Sequence, residues 1–423
     1  MTTAAAPYTR EHFERLEDER LAVYACRSAH AERPYGAVAS SPADERTNYV
    51  RDRDRIIHSR AFRRLKHKTQ VFIPYEGDHF RTRLTHTIEV SQIARSVARS
   101  LGLNEDLTEA IALGHDLGHT PFGHSGEYVL DRLLRESHPQ AGGFKHNFQS
   151  VRVVDRLEKR YEEPGLNLTH DVREGMLKHT SWPRDFPFPL DFYEGLRPES
   201  GGSLEAQAVN WSDEIAQQTH DLEDGLPLTE ESATEELAIA RLVRGARGWG
   251  SDPASRRASL IRGMIATLSA DLVEGSRVRI ERWLESAGIR TPADFAAHRG
   301  RLPGDLVGFT ETGRALYAEL REFVYRHIIH SFPVSRHDGH ARRVLAGLFG
   351  AYRDNPRLLP DDVLRTLERD LGVRFLREVT LADVENEARA YRSRPEFFRT
   401  IADHIAGMTD SYCNSEYHAL VVE

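Results

Sequence analysis

Cysteine is nearly missing from this chain. Cys26 and Cys413 are the only two in 423 residues, far apart and outside any CxxC pair, which excludes a disulfide scaffold and a thiolate zinc site. No stretch approaches ~18 uncharged apolar residues, so no membrane span is expected. The start, MTTAAAPYTREHFERLEDER, lacks the apolar core of a signal peptide. The expectation is a cytoplasmic protein with no membrane partner. Positive charge is not in excess either. Lys and Arg number 57 against 65 Asp and Glu, a formal net charge of −8. The overall field therefore does not recruit nucleic acid, and single-stranded DNA binding has no support. An anionic ligand must be met by a local cluster of Arg, Lys, His or metal. Alternating β patterns are scarce, and neither an internal repeat nor a low-complexity tract is found.

What the chain does have is helical periodicity and histidine. Apolar residues make up 39% and charged residues 29%, with 21 histidines, so a sizeable core is possible. Leu84, Ile88, Val90, Ile93, Ala94 and Val97 form a helical apolar stripe. Asn104 suits an N-cap, with Glu105 and Asp106 in the first turn where the helix dipole favours acids. That helix runs into His115. The Gly- and Pro-containing DLGHTPFGHSGE then forces a loop, and a helix resumes through EYVLDRLL. Residues 181–203 read as an irregular excursion, followed by a helix through EAQAVNWSDEIAQQTHDLEDG. Further amphipathic helices include IRGMIATLSADLVEGSRVRIERWL and ARRVLAGLFGAYR. A short helix is expected near 9–25. The fold class is all-α, with at most a short β-hairpin near 70–80.

His86 shares a helical face with Val90, Ile93 and Val97, and His115 extends the Leu107/Ile111 stripe. A lone inward histidine is more often an ordinary core group. Asp116 beside His115 is harder to dismiss, because carboxylates are rarely buried unless paired or bound to metal. Asp213 also points along an apolar face, at i+4 from Val209. Three helices thus bring His, His-Asp and Asp toward one interior, a donor set suited to a first-row divalent metal with open positions for water. Cleaving a phosphate ester also needs cations for the phosphate oxygens and an acid for the leaving oxygen. Arg83, one turn before His86, is a natural phosphate fork. His124 with Glu127 at i+3 suits the acid, the carboxylate holding the imidazole and raising its pKa. His119 and His146 add imidazoles nearby. Most of the dense charge of RDRDRIIHSRAFRRLKHK (51–68) reads as a solvated helix face.

These residues resemble a known family. FRRLKHKTQVF (62–72), GDHFRTRLTHTIEVSQIARS (77–96), EAIALGHDLGHTPFGHSGE (109–127), KHN (145–147), LNLTHDVREGMLKH (166–179) and the helix at 205–225 are similar to bacterial deoxyguanosinetriphosphate triphosphohydrolase-like proteins, a branch of the HD-domain phosphohydrolases. LFGAYRDNPRLLP (348–360) and IAGMTDSY (405–412) fit the family's C-terminal half, so the resemblance covers roughly residues 45–420. It implies an N-terminal extension (1–45), an HD-domain catalytic core (46–230) and a C-terminal helical region completing the fold (231–423). It implies hydrolysis of deoxynucleoside triphosphates to the deoxynucleoside and inorganic triphosphate, with Mn²⁺ or Mg²⁺. By position, His86, His115, Asp116 and Asp213 match the metal ligands. His124, Glu127 and His146 match catalytic residues, Arg83 and His119 phosphate contacts, Gln70 the reader of the sugar 3′-hydroxyl, and Val71 a deoxyribose contact. Gln217 stands where the family usually has a tyrosine that contacts substrate. Family members form homo-oligomers, hexamers or tetramers, and some take a nucleotide activator. Two rival readings remain at this point: an HD phosphohydrolase acting on a monophosphate or an alarmone, and a non-catalytic nucleotide- or single-strand-binding regulator.

Overall fold

The computed structural model describes residues 8–36, 44–70, 81–182, 185–187, 196, 200–226, 234, 236–245, 250–380 and 382–422. Among them lie eighteen α-helices. The first nine are α1 (Arg10–Arg20), α2 (Asn48–Ile57), α3 (Arg60–Arg64), α4 (Arg83–Ser100), α5 (Glu105–Gly114), α6 (Gly123–Ser137), α7 (His146–Arg152), α8 (His170–Lys178) and α9 (Leu204–Gly225). The rest are α10 (Ala238–Arg244), α11 (Pro253–Ala287), α12 (Pro292–His298), α13 (Glu311–Val324), α14 (Phe332–Asp354), α15 (Asp361–Leu371), α16 (Val384–Arg392), α17 (Pro395–Ala406) and α18 (Asp410–Leu420). Among the described residues β pairing is limited to two isolated bridges, Thr69 with Thr82 and Lys159 with Gly165. The all-α expectation holds; the segment 71–80, where a hairpin was conceivable, lies outside the described residues. No helix of the described residues is long and apolar enough to cross a membrane.

Local chemistry sets the helix starts that matter. Thr82 and Thr85 form a reciprocal capping box that fixes the first turn of α4, satisfying backbone donors the helix itself leaves open. Asn104 caps α5 as expected, its side chain accepting from Leu107 N at 3.1 Å. Helix α1 ends at Arg20, short of the expected 25. Helix α6 starts at Gly123, so His124 lies in its first turn rather than in the loop.

The helices bury two apolar clusters. Helices α4, α5 and α9 pack together, α2 and α8 cover α5, and α8 also meets α7 and α9. This cluster contains Val90, Ile93, Ile111, Val172, Met176, Val209 and Ile215, and extends to Met264 and Leu268 of α11. The second is built by Val129 and Leu130 of α6, Leu345 and Phe349 of α14, and Ile401 and Ile405 of α17. The chain passes from the first cluster to the second through residues 115–122. Side chains on α4, α5 and α9 are thereby set opposite those at the start of α6.

Gly118 makes that crossing possible. Its N–H donates to Ser150 Oγ at 2.8 Å, and Ser150 Oγ donates to His115 O at 2.6 Å. A Cβ on Gly118 would lie 2.1 Å from Ser150 N and 2.4 Å from His146 O, and backbone atoms cannot yield as side-chain ends do. Gly118→Ala should therefore cost on the order of 2–4 kcal/mol and lower the thermal midpoint by several degrees. Differential scanning calorimetry checks this, and an unchanged midpoint would refute the close-packing argument.

Candidate functional site

His115 is the C-cap of α5. Its Nδ1 donates to Ala112 O at 2.6 Å, which leaves Nε2 as the nitrogen turned to the site. That nitrogen is fully buried and has no hydrogen-bond partner. It faces carboxylates, 3.4 Å from Asp116 Oδ1 and 3.7 Å from Asp213 Oδ1. His86, one turn into α4, places Nε2 2.9 Å from Asp213 Oδ1. His86, His115 and Asp116 offer ligand atoms all within 4.8 Å of one another. Burial raises both carboxylates, but imidazoles overcome it. His86 and His115 hold Asp213 below its ordinary range, and His115, His119 and Arg83 hold Asp116 well below. These buried nitrogens and carboxylates could hold a divalent cation.

Behind His86 runs a chain of partners that the sequence did not reveal. His86 Nδ1 lies 3.3 Å from His220 Nδ1, and His220 Nε2 lies 2.8 Å from Glu89 Oε2. Glu89 also accepts from Arg81 Nε at 3.0 Å. Burial opposes ionisation of Glu89, but the His220 hydrogen bond prevails and draws its pKa down to about 2. The ionised carboxylate makes His220 Nε2 a donor and His220 Nδ1 an acceptor. His86 Nδ1 then donates to His220, and His86 Nε2, hydrogen-bonded to Asp213 in this structure, would offer its lone pair to a cation that replaced that proton. His220 is two turns beyond Asp213 on α9; that face relation was its only signal in the sequence.

Arg83 is 1% exposed and joins Asp116 Oδ2 through Nη1 at 2.9 Å. Its Nε and Nη2 are buried without a partner, two donors left for an anion. His119 places Nε2 3.1 Å from Asp116 Oδ1. Burial, with Arg83 and His146 beside it, pushes the His119 pKa well down. Gln70 is buried with Oε1 unmatched. Gln217 is half-buried one turn past Asp213 on α9. Val71 lies outside the described residues.

Glu127 does not hold His124, as the i+3 spacing suggested. Its Oε2 accepts from His146 Nδ1 at 2.5 Å and from His146 N at 2.8 Å. The reason is local: the open backbone N–H groups at the start of α7 attract a carboxylate more strongly than a neighbour on its own helix does. Burial opposes it, yet His146 holds Glu127 well below the carboxylate range. His124 instead opens to solvent, its ring 5.3 Å from that of His119. The protein packed around the ring draws its pKa down to about 4, with Glu127 opposing. His119 stacks on His146 at 3.9 Å and 16°. His179, which no spacing argument singled out, brings Nε2 to 3.1 Å from His146 Nε2. A separate concavity of about 1140 Å³ between α1 and the α4–α5 corner contains none of these groups.

The HD-domain family model matches residues 83–218, and the phosphohydrolase-associated domain model matches 307–419. The chain is 44% identical over 388 residues to a deoxyguanosinetriphosphate triphosphohydrolase-like protein of Bordetella pertussis, covering 90% of this chain and 91% of that one. It is 40% identical over 403 residues to one of Thiobacillus denitrificans, with 93% and 96% covered. A third, of Brucella suis, is 42% identical over 403 residues, with 90% of each covered.

Lys68 supports the loop above the site. Its buried Nζ donates to the carbonyls of His119 and of Ala406, the latter at 2.8 Å. Burial pulls its pKa down to about 7, Asp410 opposing and Arg83 assisting. An unfolded lysine titrates near ~10.4. Between those values the unfolded chain keeps a proton that the folded chain has released, so stability rises with pH from about 7 upward and the burial cost is complete below it. Relative to Lys68→Met, the wild type should gain up to about 1.4 kcal/mol per pH unit above about pH 7. Urea unfolding of both proteins across that range tests it; a pH-independent difference would show that Lys68 is not so perturbed.

Proposed function

Because the chain belongs to the deoxyguanosinetriphosphate triphosphohydrolase-like family of HD-domain phosphohydrolases, we propose that it hydrolyses deoxynucleoside triphosphates to the deoxynucleoside and inorganic triphosphate. The observation that carries this reading is the pairing of two kinds of unmet group in one buried volume. His115 Nε2 is an orphaned nitrogen beside carboxylates, and Arg83 Nε and Nη2 are orphaned donors beside them. A cation answers the first and a phosphate oxygen the second.

His86, His115, Asp116 and Asp213 would hold Mn²⁺ or Mg²⁺. When bound, such a cation lowers the pKa of a coordinated water and offsets charge on a phosphate oxygen. The chain's own groups do the rest. Arg83, braced by Asp116, points its unused N–H groups at the phosphate chain. His119 adds a second contact there. His124, on the open rim, donates a proton to the leaving 5′-oxygen; the polyanion beside it raises its pKa from the depressed value. Glu127, itself paired with Lys145 at 3.6 Å, keeps His146 turned inward, where its ring faces the reacting groups. Gln70 Oε1, buried and unmatched, accepts from a sugar hydroxyl. Homo-oligomers and a nucleotide activator belong to the same proposal.

The direct test is chromatography of products from each of the four deoxynucleoside triphosphates, singly and mixed, with Mn²⁺ or Mg²⁺. Triphosphate and deoxynucleoside are expected, and activity confined to mixtures would reveal an activator. Orthophosphate or pyrophosphate would assign the protein to another HD reaction, and no turnover would favour a regulator. His124→Ala should lower kcat by about 10²–10⁴ with metal content unchanged. His220→Ala should weaken Mn²⁺ binding by roughly 10–100-fold, as loss of a partner behind a ligand does, alongside the loss of stability that emptying a buried position brings. Unaltered Mn²⁺ affinity in that variant would remove the tautomer argument for His86.

A further inference from the structure

A carboxylate from the last helix reaches two segments of the site at once. Asp410 stands in the first turn of α18 and is 5% exposed. Its Oδ2 accepts from Thr69 N at 2.8 Å and from the Thr69 hydroxyl. Its Oδ1 accepts from Phe122 N at 3.0 Å. The buried ammonium of Lys68 lies close enough to feel its charge. Hydrogen bonds to a buried carboxylate are strong, and losing any one of them leaves charge unmet. The helix itself does not need this side chain, because Thr409 is its N-cap and accepts from Tyr412 N at 3.3 Å.

What the two segments carry gives the clasp its meaning. Thr69 precedes Gln70, whose Oε1 is buried and unmatched. Phe122 precedes Gly123 and His124, which open α6. The two backbones nearly touch: a Cβ on Gly123 would lie 3.1 Å from Gln70 O and 3.2 Å from Arg83 Nη2. Phe122 and Gly123 are consecutive left-handed residues, at φ +62° and +63°, and a phenylalanine keeps that conformation only under constraint. Its ring is held between His337 and His340 of α14, each at 5.7 Å, and its N–H by Asp410. Arg83 N donates to Lys68 O at 3.2 Å, so the start of α4 is fastened to the same stretch.

We infer that Asp410 is a positioning residue that sets the spacing between Gln70 and His124, and through it the fit of the substrate's sugar. This role presupposes the proposed reaction, in which Gln70 meets the 3′-hydroxyl and His124 the leaving 5′-oxygen. Those two oxygens belong to one deoxyribose, so the groups that meet them must be held at a matching separation. A misplacement of about 1 Å caused far from the chemistry can cost on the order of 10²-fold in rate. His86, His115, Asp116 and Asp213 lie outside the two clasped segments, so Asp410 acts on sugar fit and not on metal binding.

Turnover of a deoxynucleoside triphosphate and of the matching 2′,3′-dideoxynucleoside triphosphate decides it, with Mn²⁺ and any activator the product screen reveals. The wild type should favour the deoxynucleotide in kcat/KM by at least about tenfold, the cost of leaving the buried Gln70 group unmet. Asp410→Asn and Thr69→Val should cut that preference at least about threefold. Thr69→Ser, which keeps the hydroxyl, should retain it. Mn²⁺ affinity by calorimetry should stay within about threefold in all three variants. Should Asp410→Asn fail to fold, the Thr69 pair carries the comparison alone. Equal losses on both nucleotides, with the preference intact, would overturn the role and leave Asp410 as a support of the fold only. Equal turnover of both nucleotides by the wild type would also overturn it, while leaving the reaction standing. Turnover of neither would remove the reaction itself, and this role with it.

Discussion

Asp116 is the constraint around which the interior is arranged. Its carboxylate is 3% exposed, and burying such a charge costs several kcal/mol unless partners surround it. Arg83 takes one oxygen, while His115 and His119 crowd the other. Those partners come from the first turn of α4, the end of α5 and the turn beyond it. The helices must therefore converge there, with Thr82, Asn104 and Gly118 fixing where each begins or passes. Removing Asp116 would leave the Arg83 guanidinium buried without its counter-charge, so its structural and chemical roles cannot be separated by simple deletion.

The C-terminal region buttresses this site and does not merely append helices to it. Asp410 accepts from Thr69 N at 2.8 Å and Phe122 N at 3.0 Å, and from the Thr69 hydroxyl. It thus ties the segment carrying Gln70 to the turn that opens α6. Phe122 is held at φ +62°, a left-handed conformation that a bulky side chain adopts only when its surroundings compel it. Asp403 accepts from Arg152 and Gln149 of α7, and Arg399 donates to Ala141 O and Gly143 O. The loop between the two apolar clusters is thereby gripped from the side of α17 and α18, which is where the phosphohydrolase-associated match falls.

Periodicity and capping made much of this legible in the sequence. The stripe of α4, the Asn104 cap and the inward placement of His86, His115 and Asp213 all follow from 3.6-residue repetition, because a helix converts spacing into direction. The all-α class followed from the helical stripes and the scarcity of alternating patterns, and the family from the motifs. The Glu127 pairing was misread for a physical reason: spacing reports neighbours along one helix, and the open N–H groups of α7 outcompeted them. His220 and His179 were invisible because their significance lies in the partner, Glu89 and His146 respectively, and each partner arrives from another helix.

The sequence by itself determined which residue types could act and on which helical faces they lie, since helix geometry is local. The tertiary structure alone decided which ring nitrogen of each histidine is engaged by the protein and which is turned to the site. That depends on what each opposite ring atom meets: Ala112 O for His115, Met176 O for His179, Glu127 for His146, and His220 for His86. A tautomer is set by distant hydrogen-bond partners. Which of these nitrogens can face a ligand therefore emerges only once the helices have packed.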